Sequence, residues 1–196
     1  MNSHSSLLTI VALMLLVTAW IVARRRMNQS PFHLWLGSAL SAIVAVLAVP
    51  MIASPVAGPI ADLLMLSASL FAGYCFTLGV RHEATERTTG LAPILAGLAA
   101  CLAIALLLEL TGGNTLVRGA VLRALIAVEY LSSLFWIPGL LRSGASKPAA
   151  AGLAIVAALV AGAVLAQSLI SAAIVVAAVV FVLFSVERAR EAGARR

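Results

Sequence analysis

The chain has 196 residues, of which 63% are apolar and only 10% charged, and its mean hydropathy is +1.12. An ordinary soluble domain carries roughly 25% charged residues, so too few polar side chains remain here to cover a water-facing surface. The same figures exclude disorder, which needs low hydrophobicity and high charge. The solvent they call for is a lipid bilayer.

The net charge is +6, and all the basic residues but Lys147 are arginines. In a soluble protein such basicity would point to nucleic acid. In a chain this apolar it reads as topology and attraction to anionic membrane lipids, and no nucleic-acid partner is expected. Cys75 and Cys101 both fall in apolar runs, where buried free thiols are expected rather than a disulfide.

A hydrocarbon core about 30 Å thick is crossed by about 20 mostly apolar residues. Seven segments meet that length: 6–23, 32–53, 57–80, 91–110, 119–141, 149–166 and 170–186. The first is followed, not preceded, by Arg24, Arg25 and Arg26. That order is the reverse of a secretory signal and predicts a retained span. Residues 149–186 form one apolar run broken only by Gln167, Ser168 and Ser171. It is too long for one crossing and is read as two spans joined by a tight turn. Pro50, Pro93 and Pro138 lie near the ends or interiors of spans, where proline can kink a membrane helix.

The expected fold is thus an all-α, seven-transmembrane-helix bundle, a single domain over 1–186 with a short basic tail over 187–196. Eleven of the thirteen basic residues fall on one side of it; Arg118 lies on the other side and Arg123 within the fifth span. The positive-inside rule makes the eleven-charge side cytoplasmic, which puts the N-terminus outside. The expected location is a bacterial inner membrane, crossed several times.

Polar groups inside lipid are costly, so each calls for a partner or a purpose. At about 1.5 Å of rise per residue, the spans define two polar layers. The outer one holds Asp62, Arg123, Glu109 and Arg118. Asp62 and Arg123 are either an ion pair that fixes helix register, with Glu109 and Arg118 solvated at the rim, or the charged ends of a small ligand pocket. The arginine fork would suit a carboxylate or phosphate there. The middle layer holds Glu129, with Ser41, Ser67, Ser69 and Cys101 at similar depth. A carboxyl at that depth is expected to carry its proton. It is either a structural group bonded to a neighbouring Ser or Tyr, or a proton-linked or ligand-binding one. Tyr74, Tyr130, Trp35 and Trp136 are candidates to line a cavity around it or to anchor the membrane interface. Ala150, Ala154, Ala158, Gly162 and Ala166 recur at every fourth position. Such a stripe supports close helix packing, within the chain or between two copies.

Several chemistries lack their residues. No lysine lies within a span, His82-Glu83 lacks the second histidine of a zinc-protease motif, and no Cys-x-x-Cys or Gly-x-Ser-x-Gly occurs. His4, His33 and His82 are too scattered for a metal site. No metal or cofactor is expected, and no catalytic residues are assigned.

The stretch His33-Leu34-Trp35-Leu36-Gly37 opens the second span, and the third runs from Asp62 to Gly79-Val80-Arg81-His82. Asn114 to Arg118 leads into the fifth span, which ends in Leu140-Leu141-Arg142. Over residues 7–165 this layout resembles the seven-span N-terminal sensor regions of bacterial membrane-bound GGDEF diguanylate cyclases. In that family the spans are thought to sense a signal and pass it to a cytoplasmic output domain. No GGDEF motif is present in this sequence, so no cyclase activity is carried over. The resemblance implies a seven-helix sensor-like or accessory module acting through a separate partner, contacted by the tail Glu187–Arg196 or by a second copy of the chain. The second expectation is a small proton- or substrate-coupled transporter or channel that uses Glu129 and the Asp62/Arg123 layer.

Overall fold

The computed structural model describes residues 32–85, 89–110, 115–145 and 147–166. Every element among them is helical. In chain order they are α1 (Phe32–Ala48), a 3-10 turn (Val49–Met51), α2 (Gly58–Thr85), α3 (Leu91–Leu110), α4 (Thr115–Ser132), a second 3-10 turn (Ser133–Trp136), α5 (Ile137–Arg142) and α6 (Lys147–Ala166). These cover the second to sixth expected spans. The first span, the turn near Gln167, the seventh span and the tail lie outside the described residues.

Proline placement explains most of the boundaries. Pro59, Pro93 and Pro148 all sit in the first turn of a helix, where the missing N–H costs nothing because it has no intrahelical acceptor. Pro50 ends α1: the helix stops at Ala48 and tightens into the 3-10 turn, although the apolar run continues to Ala53. Pro138 acts within the fifth expected span. It cannot donate to the Leu134 carbonyl, and the Ile137 N–H takes that carbonyl instead. The segment therefore continues from α4 to α5 through one 3-10 turn. The far end of α5 closes in a Schellman motif. Gly144 adopts φ 85°, its N–H donates to the Leu141 carbonyl, and the Ala145 N–H donates to the Leu140 carbonyl. The buried side chains of Leu140 and Ala145 supply the apolar contact of that motif.

Among the described residues, three helical segments are long and apolar enough to cross a membrane: Gly58–Thr85, Leu91–Leu110 and Leu116–Arg142. The packing supports a lipid solvent. On α3 the small residues Gly97, Cys101 and Ala105 face inward, while Leu95, Leu102, Leu106 and Leu110 are 37–81% exposed. A helix that hides its small residues and shows its leucines would be strongly disfavoured in water, at about 0.8 kcal/mol per exposed CH2. It is the arrangement expected where lipid tails surround the bundle and small residues let backbones approach.

The central element is α2, which touches α1, α3, α4 and α5. Its 28 residues span about 42 Å at 1.5 Å per residue, longer than the hydrocarbon core. Two apolar clusters divide it. One joins Leu66 and Leu70 to Cys101 and Ala105 of α3 and Leu122 and Ile126 of α4. The other joins Phe76 and Val80 to Trp35, Leu140 and, from α6, Leu153, Val156 and Ala157. Trp35 is only 4% exposed; its ring covers Gly79 at 3.0 Å from where a methyl would stand, and meets Phe76 edge-on. It is a core residue. On α6 the buried line runs through Ala150, Leu153, Ala157 and Ala161. The small-residue stripe coincides with it only at Ala150 and turns outward at Ala158, Gly162 and Ala166.

Candidate functional site

At the end of the bundle that carries Asp62, the last turn of α3 and the first turns of α2 and α4 meet. Asp62 is the fifth residue of α2, Arg118 the fourth of α4, and Glu109 the next-to-last of α3. The Arg118 guanidinium bridges both carboxylates. One amine donates to Asp62 Oδ2 at 2.5 Å and the other to Glu109 Oε2. The three side chains are 13–28% exposed.

One of the two expectations for this layer pairs Asp62 with Arg123 and leaves Arg118 and Glu109 solvated at the rim. The carboxylate is instead taken by Arg118, and Glu109 joins the same cluster. The reason is a register difference. α4 begins at Thr115, four residues before the expected start, so Arg118 rather than Arg123 lies level with Asp62. The Arg123 guanidinium folds back along its own helix, 3.2 Å from where a methyl on Gly119 would lie. Long cationic side chains in membranes lean toward the interface in this way.

Beside the cluster an open groove of about 760 Å³ runs between the 52–55 turn, the start of α2 and the end of α3. Its walls are Ile52, Pro55, Pro59, Ile60, Leu63 and Leu106, with Asp62 and Glu109 at the edge. Gly58 makes the tight corner possible, since a methyl there would strike the Ile52 carbonyl oxygen at 2.6 Å. Ser54 Oγ accepts the Ala57 N–H at 3.3 Å and so holds the turn.

The middle layer is packed rather than open. The Glu129 carboxyl rests against Gly73 of α2 and its Oε2 is buried. Thr77 Oγ1 donates to the Glu129 backbone carbonyl at 2.6 Å, and Ser132 Oγ donates to it at 2.7 Å. Ser133 Oγ serves the Tyr130 carbonyl, and Ser38 of α1 donates to the Ala72 carbonyl at 2.8 Å. The Thr77 bond ties α2 to α4 and the Ser38 bond ties α1 to α2.

The other expected site residues have separate duties. Ser67 is buried and returns its hydroxyl to the Leu63 carbonyl of its own helix at 2.8 Å. Tyr74 lays its ring over Gly97 of α3 and donates to the Pro93 carbonyl at 2.9 Å. Trp136 lies at the opposite, basic end, where Arg81 stands 5.4 Å from its ring. Cys75 and Cys101 are free and buried. Among the described residues no group of three or more His, Cys, Asp and Glu side chains is placed to hold a metal ion.

Gly73, Gly97 and Thr77 were not legible as site residues. A glycine's role as a seat depends on which side chain crosses it, and spacing alone does not give that. No protein-family model matches the chain, and no curated protein or solved structure matches it.

Proposed function

We propose that the chain is a non-enzymatic, multi-pass protein of a bacterial inner membrane, serving as a sensor-like or accessory subunit. A small charged solute enters the groove at the Asp62 end, and the resulting change in helix packing is passed to a partner at the basic end. The observation that carries this reading is the groove: an open volume of about 760 Å³ with apolar walls and two carboxylates at its edge, both held by Arg118. Apolar walls with a few placed polar groups are the usual composition of a small-molecule site.

Two further features support it. α2 bears Asp62 near one end and Arg81 near the other and packs on four neighbours, so it is the natural relay. The positive-inside count puts the groove outside and Arg81, Arg142 and Lys147 in the cytoplasm. The resemblance to seven-span sensor regions agrees with both.

The test is extraction of the full chain into lipid-retaining nanodiscs, followed by mass measurement and thermal unfolding with choline, spermidine, glutamate or inorganic phosphate added. The reading predicts a stoichiometric partner or a homo-oligomer. It also predicts that at least one solute raises the Tm of the wild type and not that of the D62N/E109Q variant. A lone monomer whose Tm none of the four moves would contradict it.

A further inference from the structure

Away from the groove, the bundle holds a polar group that no structural bond accounts for. Glu129 lies eleven residues along α4 from Arg118, about 16 Å at 1.5 Å per residue, well inside the span. Its Oε2 is buried and has no hydrogen-bond partner among the described residues. The hydroxyls of Thr77 and Ser132 are spent on the backbone carbonyl of the same residue. The carboxyl occupies the space left by a glycine: a methyl on Gly73 would stand 2.6 Å from Oε2 and 3.1 Å from the Glu129 Cβ.

The titratable groups that bear on it are Tyr74 and Cys75 on α2, Cys101 on α3 and Tyr130 on α4. None of these is a cation. α1 contributes Ser38 beside Tyr130, and the charged residue of α6 is Lys147, at its first position. An ionised carboxylate left in such surroundings is costly enough that the group takes up a proton instead.

We propose that Glu129 is a reversible proton-binding site whose uncharged carboxyl is seated against Gly73, and whose ionisation parts α4 from α2. The carboxylate takes one proton from water to give the acid, and no other bond changes. The acid fits the closed seat. The carboxylate must draw in water or swing out, which loosens the packing around Cys75 and Cys101. The closed packing is therefore kept at low pH and lost as pH rises. This does not rest on a ligand in the groove, so the two readings fail separately.

The experiment uses the full chain in lipid nanodiscs. Infrared difference spectra across a pH series read the protonated-carboxyl band. Labelling of Cys75 by N-ethylmaleimide, on a C101A background, reads the packing. In the wild type the band is expected to fade as pH rises, while Cys75 labelling increases severalfold relative to E129Q at the same pH. In E129Q that band component is absent, and the labelling follows the thiol alone. G73A fills the seat and pushes the carboxyl toward solvent, so its band should fade at lower pH than in the wild type. A purely structural carboxyl would not show that shift, and G73A carries the test if E129Q does not insert. Identical difference spectra for wild type and E129Q would overturn the proposal. So would equal labelling of both at every pH, or an unshifted band in G73A.

Discussion

Arg118 decides the charge arrangement at the Asp62 end. Its planar fork reaches two carboxylates on two other helices, which a compact ammonium reproduces poorly. Arg118→Ala should therefore destabilise the bundle by about 1.5–3 kcal/mol, the usual range for hydrogen bonds to charged groups. Arg118→Lys should fall between it and the wild type. Thermal unfolding in a mild detergent reads both. A double cycle with Asp62→Asn should show clear coupling, because the two residues share one contact. Additive effects would mean that the pair is only an exposed rim contact. Asp62, Glu109 and Arg118 were legible as one layer, because depth follows from counting residues; Arg123, expected in the same layer, does not lie level with Asp62. The pairing was not legible. It turned on where α4 begins: the helix takes in Thr115–Arg118, one turn ahead of the start expected at Gly119.

Between helices, the close approaches depend on glycine. Tyr74 lies so flat on Gly97 that a methyl there would fall 2.0 Å from its ring. Gly97→Ala should force the ring out or push α3 away from α2, at a cost of about 1–3 kcal/mol for overpacking. In a Tyr74→Ala background the same change should cost almost nothing. Unfolding midpoints of the four variants check this, and an equal penalty in both backgrounds would place the clash elsewhere. The existence of α1, α2, α3, α4 and α6 was legible from hydropathy, since each crosses a long apolar run. Their ends were less so. The run 32–53 gave no hint that its helix would stop at Ala48, except for Pro50. The expected 57–80 span extends to Thr85 because helix formation continues through Arg81–Thr85 after the apolar residues finish.

At the scale of the molecule, exposed leucines outside and small residues inside make this a protein built for lipid, and among the described residues three segments are long enough to cross it. Composition made that legible from the start. Which residues meet in the interior was not, because nearly every interior position is apolar or small and periodicity cannot rank them. The seven-span topology remains a proposal that rests on the charge asymmetry of the sequence, which would put the Asp62 groove outside and the Arg81 end in the cytoplasm. Single cysteines introduced at Ser5, Thr88, Asn114 and Ala194, on a background without Cys75 and Cys101, test it most directly. A membrane-impermeant thiol reagent applied to intact inner-membrane spheroplasts should label S5C and N114C at once, and T88C and A194C only after the membrane is opened. Labelling of S5C and A194C from the same side, or of T88C and N114C from the same side, would contradict the account.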